Sequence, residues 1–305
     1  LMGIGIATYV EITGAGLGSE YGSVEVLADG SARVVTGSNP YGQGHVTSWS
    51  MLVSERTGIP LERIEVVYGD TDLVPTGETT GGSRSLQIAG SAVFDAAGKV
   101  VELARQRAAD LLEADPADIV LDTDTARFHV AGTPAVDVGW EDIGATAADE
   151  GAQLFALSDF TASGPSFPFG THVAVVEVDA DTGRVTLRRL IACDDAGTIL
   201  NPLLVDGQVH GGLAQGVSQA LFEEVRYDGD GNPLSATLLD YLMPSAAEFP
   251  MFERIEMETP SPINPLGAKG IGESGTIGST PAVQNAVIDA VSHLGVTHID
   301  MPLTP

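Results

Sequence analysis

THVAVVEVDADTGRVTLRRLIAC, residues 171–193, is the stretch on which the fold turns. Thr171 to Asp179 and Arg184 to Cys193 are two strand-like runs, and Asp181-Thr182-Gly183 between them supplies turn residues, so the segment reads as a β-hairpin. The pattern recurs upstream, where Val24 to Ala28 and Ala32 to Thr36 flank Asp29-Gly30. Ile4 to Thr13 and Arg63 to Tyr68 read as further strands, and Gly42 to Thr57 as a helix. From Leu86 to Glu113, small and aliphatic residues recur every three or four positions, which predicts a long, mostly buried helix. Val205 to Glu223 reads as a helix interrupted by glycines. A last helix is expected to open at Thr280-Pro281, where a first-turn proline is tolerated, with Val283, Ala286, Val287, Ala290, Val291 and Leu294 as its apolar stripe. Gly132 to Pro165, rich in Ala, Gly, Asp and Thr and weakly periodic, reads as a connection between two lobes, 1–131 and 166–305. Short strands interleaved with helices, without a fixed short repeat, make the fold class α+β, as one domain over 1–305 or two fused α/β lobes.

Composition excludes several functions. With 305 residues, 43% of them hydrophobic, the chain can bury a substantial core. No apolar run approaches the roughly 20 residues of a spanning helix, so no membrane span is expected. Leu1-Met2-Gly3 lacks the blocks of a signal peptide, and the simplest address is cytoplasmic. A first residue other than Met, running directly into a strand, leads us to expect that the natural polypeptide extends upstream. Forty-two acidic against fourteen basic residues give a formal charge of −28, which repels phosphate backbones and anionic membranes; nucleic acid is not an expected partner. The acidity itself reads as a solvated surface. A single cysteine, Cys193, rules out a disulfide framework, a four-cysteine zinc site and any iron-sulfur cluster carried wholly by this chain.

Four segments carry candidate chemistry. Gly267-Ala268-Lys269-Gly270-Ile271-Gly272-Glu273-Ser274-Gly275-Thr276-Ile277-Gly278 sets one carboxylate among five glycines, which suits close approach of a ligand; alone it also reads as an ordinary glycine-rich loop with a solvated Glu273. Tyr41-Gly42-Gln43-Gly44-His45 lies at a strand-to-helix junction, where backbone amides favour anionic or carbonyl-like atoms and the Gln43 amide both donates and accepts. His45 reads as a capping or packing residue. In Thr79-Thr80-Gly81-Gly82-Ser83-Arg84-Ser85, amides, hydroxyls and one guanidinium make a plausible phosphate cradle, the alternative being a helix cap by Ser83 or Ser85 with an incidental Arg84. No Walker-type lysine accompanies it. Finally, Cys193-Asp194-Asp195 ends a strand, Asn201-Pro202 turns the chain, and Asp206-Gly207-Gln208-Val209-His210-Gly211-Gly212 opens a helix whose glycines imply either tight packing or a ligand against it. Cys193 reads as buried rather than reactive, because the neighbouring aspartates raise a thiol pKa.

In this order, Gly-Gln-Gly-His, Gly-Ser-Arg-Ser, Asp-Gly-Gln-Val-His-Gly-Gly and Lys-Gly-Ile-Gly-Glu-Ser resemble the molybdopterin-binding large subunits of the xanthine dehydrogenase, aldehyde oxidase and carbon monoxide dehydrogenase family. The resemblance runs from Gly3 to the terminus and corresponds to the second half of a complete large subunit, its second molybdenum-cofactor-binding domain. It implies that Gln43, Gly44, Gln208 and Gly272 approach the cofactor, that Gly82, Ser83, Arg84 and Ser85 hold it near its phosphates, and that Glu273 stands beside molybdenum as catalytic base. The metal would be held by the pterin dithiolene and by no side chain. The implied reaction is a water-derived hydroxylation of an aldehyde or N-heterocycle carbon, with Glu273 taking a proton and a hydride passing to the metal's sulfido ligand. The implied cofactor is molybdopterin in its cytosine dinucleotide form, with 2Fe-2S clusters and FAD on partner subunits. Implied partners are the upstream half of the large subunit, an iron-sulfur small subunit and an FAD medium subunit, assembled as a dimer of heterotrimers, without which this piece is expected to be inactive.

Ser274-Gly275-Thr276 departs from the Ser-Pro-His that the resemblance associates with carbon monoxide dehydrogenases, which favours an aldehyde or heterocycle hydroxylase over that alternative. Two readings of other classes stand beside it: a cofactor-holding or assembly subunit without turnover, and a nucleotide-binding protein using Thr79 to Ser85.

Overall fold

The computed structural model describes residues 1–14 and 18–305. In chain order these form β1 (Met2–Val10), β2 (Glu20–Val26), β3 (Ala32–Thr36), α1 (His45–Thr57), β4 (Ile64–Val67), α2 (Ser91–Leu111), β5 (Ile119–Asp122), β6 (Arg127–Val130), β7 (Thr133–Gly139), α3 (Trp140–Asp149), β8 (Leu154–Phe160), β9 (Phe169–Val178), β10 (Val185–Asp195), α4 (Pro202–Leu221), β11 (Glu253–Met257) and α5 (Ser274–Val291). The architecture is α+β, and it divides into two compact units.

Unit 1 comprises 1–13, 166–261 and 268–305. Its sheet has the order β1-β9-β10-β11, antiparallel except for the parallel β10–β11 pair. The expected hairpin forms as β9–β10, with a register shift between Leu187 and Arg189. That bulge matters for the core: Arg188 and Arg189 both face water, and the inward phase resumes at Leu190 and Ala192 after Leu187. Ala174, Val176 and Val178 from β9 join these residues against Val209, Leu213 and Val217 of α4 and Ala282, Val283, Ala286 and Val287 of α5. α5 also rests directly on β1. A Cβ at Gly3 would lie 2.0 Å from the Ala286 carbonyl oxygen, and one at Gly5 would lie 2.0 Å from that of Ala282, so only glycine lets strand and helix backbones approach this closely.

Unit 2 comprises 14–165 and 262–267. Its four-stranded sheet has the order β4-β3-β2-β8; the hairpin expected around Asp29-Gly30 is β2–β3, with Val24 opposite Val34. A three-stranded meander, β5-β6-β7, packs through Phe128, whose ring meets Trp140 edge-on at 4.9 Å. Trp140 Nε1 donates to the Thr57 carbonyl at 2.8 Å. The long helix foreseen from Leu86 begins with a π-type turn over Leu86–Gly90 and continues as α2, burying Ala92, Ala96, Val100 and Ala104.

Two expectations differ. Residues 132–165 are not a connection but carry β7, α3 and β8 inside unit 2: Gly139 N donates to Asp142 Oδ2 at the start of α3, and Trp140, Ile143 and Ala147 bury at helical spacing. The boundary between units therefore falls elsewhere, and β1 belongs with the later strands. The last helix begins at Ser274 rather than Thr280, so Pro281 lies in its interior; hydroxyls of Ser279 and Thr280 bond back to the Gly275 and Thr276 carbonyls.

No helix of the described residues is long and apolar enough to cross a membrane.

Candidate functional site

In unit 2 the glycine-rich junction and the Thr79–Ser85 turn, 40 residues apart in sequence, are knit together by hydroxyls. Ser38 Oγ donates to Ser85 Oγ at 2.8 Å, Ser85 Oγ reaches Thr80 Oγ1 at 3.3 Å, and Thr80 Oγ1 donates to the Asn39 carbonyl at 2.5 Å. The Tyr41 hydroxyl meets Thr79 Oγ1. Gly44 is the left-handed cap (φ 81°) of α1, and Gln43 beside it is half-buried, its Oε1 accepting from Tyr41 N. His45 is the packing residue expected: buried, tilted on Trp49 at 5.1 Å, and with its pKa lowered by burial.

Gly82 and Ser83 both adopt positive φ, 62° and 50°, turning the chain into the long helix. Arg84 differs from expectation. Its side chain is buried, with Nη2 2.9 Å from Glu20 Oε1 and Nη1 3.7 Å from Glu78, so the guanidinium is engaged by carboxylates of its own unit instead of projecting outward. Nη2 is close to Glu20 but off hydrogen-bond geometry, and both it and Nε are buried without an acceptor. Burial raises the Glu20 pKa, with Arg84 pulling the other way.

Unit 1 holds the other candidates. Asn201 Oδ1 accepts from Leu204 N and Pro202 fills the first turn, which fixes the start of α4 where Asn-Pro was read. Arg254 from β11 then grips Asp206 one turn in. The α4 glycines separate by face. Gly212 and Gly216 meet α5: a Cβ at Gly216 would lie 2.0 Å from Ser279 Oγ, and hydroxyls of Thr276 and Thr280 donate to the Gly212 and Gly216 carbonyls at 3.0 and 3.1 Å. Gly207 and Gly211, one turn apart and flanking Gln208, have no heavy atom within 4 Å of a would-be Cβ. Packing accounts for the first pair, and open space for a ligand remains along the second.

The Gly267–Gly278 segment is a buried loop over Ala268–Gly270 that emerges at Gly272 and Glu273, both exposed. Glu273 is the residue that caps α5, its carbonyl accepting from Thr276 N and Ile277 N, so its carboxylate stands at the positive end of the helix dipole. Sequence reading missed what secures the loop. Lys269 Nζ bonds Asp195 Oδ1 at 2.8 Å, both groups buried, and Lys269 N donates to the Ala196 carbonyl. Lys269 and Asp195 lie in segments already singled out, and their opposite charges were the available signal. Cys193 is half-buried with its thiol pKa raised by burial and by Asp194, as its acidic neighbours implied. Among the described residues no group of three or more His, Cys, Asp or Glu is placed to hold a metal ion.

Residues 1–250 match the model of the molybdopterin cofactor-binding domain. The chain belongs to that family. This molybdopterin-binding domain is 40% identical to the carbon monoxide dehydrogenase large chain of Hydrogenophaga pseudoflava, over 100% of the chain and 40% of the relative. It is 38% identical to the corresponding chain of Afipia carboxidovorans, over 99% of the chain and 39% of the relative. Among solved structures, it matches reconstituted CO dehydrogenase from Oligotropha carboxidovorans with a TM-score of 0.92 at 36% identity, covering 100% of this chain and 39% of that one. Quinoline 2-oxidoreductase from Pseudomonas putida 86 matches with a TM-score of 0.91 at 34% identity, covering 100% and 41%. The molybdopterin-binding chain thus spans about 40% of the length of the curated relatives it matches.

Proposed function

We propose that this chain is the portion of a molybdenum hydroxylase large subunit that supplies the catalytic base, Glu273. The observation that carries the reading is an exposed carboxylate at the N-terminal end of α5, behind a glycine-rich loop anchored by a buried Lys269–Asp195 pair, in a chain of the molybdopterin-binding family.

The residues present fit such a cofactor. In unit 1, Gln208 lies between two glycines that leave open space along α4. In unit 2, buried Arg84 keeps Nε and Nη2 without acceptors, beside the Gly81-Gly82-Ser83 backbone, where a Cβ at Gly81 would also meet nothing within 4 Å. We assign Gln43, Gly44, Gln208 and Gly272 to its pterin part, and Gly82, Ser83, Arg84 and Ser85 to its phosphates, in the cytosine dinucleotide form. When bound, that group supplies a two-electron oxidant. Glu273 accepts the proton that a water-derived nucleophile loses as it attacks an electrophilic carbon of an aldehyde or N-heterocycle, while that carbon gives up a hydride equivalent. That carboxylate stands on the residue from which α5 starts. The remainder of the large subunit, an iron-sulfur subunit and an FAD subunit complete the enzyme, as a dimer of heterotrimers.

Carbon monoxide is the second substrate reading, favoured by the 40% and 38% identities to carbon monoxide dehydrogenase large chains. The comparable match to quinoline 2-oxidoreductase supports the heterocycle reading. Metal analysis of the assembled complex, followed by a screen of aldehydes, N-heterocycles and carbon monoxide with an artificial electron acceptor, separates them. In that complex Glu273→Gln is expected to leave molybdenum content unchanged and to lower kcat about 10²–10⁴-fold; full retained turnover would refute the assignment.

A further inference from the structure

A base that ends a loop of glycines has to be held in place by something outside that loop. Two consecutive carboxylates end β10, and both are buried, although strand alternation would turn one of them outward. They engage opposite ends of the segment that carries Glu273. Asp195 Oδ1 accepts from Gly197 N at 3.0 Å and, at 2.8 Å, from Nζ of Lys269, four residues before Glu273. Asp194 Oδ1 accepts from the Tyr9 hydroxyl at 2.6 Å and lies 2.8 Å from His172 Nε2. The hydroxyl of Ser274, the residue after Glu273, is near enough to Tyr9 to pull its pKa downward against the larger rise, and Ser274 Oγ donates to Glu11 Oε2 at 3.3 Å.

The surroundings are shaped to admit this cluster. A Cβ at Gly170 would lie 2.5 Å from Asp194 Oδ1, and one at Gly278 would lie 2.4 Å from His172 Nδ1. The cluster is not arranged for stability alone, because His172 Nδ1 and Asp194 Oδ2 are buried without partners, which a well-packed apolar replacement would avoid. Burial, together with the Asp194 carboxylate, holds the Tyr9 proton far above the usual phenol range, so Tyr9 remains a donor to Asp194.

We propose that Asp194 and Asp195 are positioning residues for Glu273, fixing the segment Lys269–Ser274 at both ends, Asp195 through Lys269 and Asp194 through Tyr9 and Ser274. The proposal rests on Glu273 as the base, and the test separates the two ideas. In the complete enzyme complex, Tyr9→Phe removes only a hydroxyl, and Lys269→Met is compared with Lys269→Arg. Tyr9→Phe and Lys269→Met are each expected to lower kcat about tenfold with KM within twofold and molybdenum content unchanged, with Lys269→Arg recovering most of the loss. Amide hydrogen exchange over residues 268–278 is expected to quicken at least tenfold in both. In a Glu273→Gln background Tyr9→Phe should add no further loss, because its effect passes through that carboxylate. Parental exchange rates and kcat in Tyr9→Phe and Lys269→Met overturn the proposal. So does an equal loss with and without Glu273, or a fall in molybdenum content at unchanged exchange. Parental turnover in Glu273→Gln alone instead removes the base, and the positioning role with it.

Discussion

Replacing Gly5 by alanine adds one methyl group at a backbone-to-backbone contact in unit 1. The new Cβ would lie 2.0 Å from Ala282 O and 2.3 Å from Ala286 N, both main-chain atoms of α5 that cannot rotate aside. Ordinary contact needs about 3.5 Å, so the helix must withdraw by roughly 1.5 Å. Overpacking typically costs about 1–3 kcal/mol. Here withdrawal also loosens Val283, Ala286 and Val287 from the core, which puts the expected loss near 3 kcal/mol. For a cooperative unit of 150–250 residues that is a fall in Tm of about 6–12 °C. Gly207→Ala is the matched control: nothing lies within 4 Å of its would-be Cβ, and alanine in a helix interior should add about 0.5–1 kcal/mol. Urea unfolding of the 305-residue chain, followed by circular dichroism, reads both. A Gly5→Ala protein within about 0.5 kcal/mol of the parent would mean that α5 does not rest on β1.

Arg84→Met strands the Glu20 carboxylate, which is 1% exposed, at a cost of about 3–5 kcal/mol at neutral pH. Burial already raises that carboxyl and Arg84 opposes the rise, so losing the cation drives it higher; the folded state then prefers the protonated acid, and the deficit should shrink as pH falls through the raised value. Thermal melts between about pH 8 and pH 5 check this, and a deficit independent of pH would refute it. Trp140→Phe keeps an aromatic ring against Phe128 but leaves the Thr57 carbonyl without its 2.8 Å donor, an expected loss of about 1–3 kcal/mol by urea titration. Stability unchanged by that substitution would show that another donor takes over.

Local chemistry made the hairpins legible. Asp29-Gly30 and Asp181-Thr182-Gly183 sit at turns, and the helices read from Gly42, Leu86 and Val205 exist with ends shifted by a few residues. The last helix was read late because Gly275, Gly278 and Pro281 are poor helix formers. Contacts with α4, β1 and His172 override that preference, and those contacts are not written in the local sequence. Residues 132–165 misled through composition: Ala and Asp dilute the apolar pattern, and only Trp140, Ile143 and Ala147 mark the buried side of α3. Glycine settings singled out Gln43, Gln208 and Glu273 in the sequence as candidates, and beside Gln208 the structure leaves open space at Gly207 and Gly211. The Tyr9–Asp194–His172 cluster was not, since it joins positions up to 185 residues apart. Arg84 was legible as unusual, but its pairing with Glu20, 64 positions earlier, was not.

Unit 1 is assembled from three separate stretches of chain, and the Leu1 carbonyl accepts from Val178 N, 177 positions later. At about 5–20 residues per second, β1 leaves the ribosome roughly ten to thirty seconds before β9 can pair with it. By then residues 14–165 can already be compact, lacking only the short 262–267 piece. Throughout that interval the unpaired edge of β1 is on offer to any other nascent strand, with Met2, Ile4 and Ile6 among its side chains. β1 is therefore open to mispairing during synthesis for as long as β9 is missing.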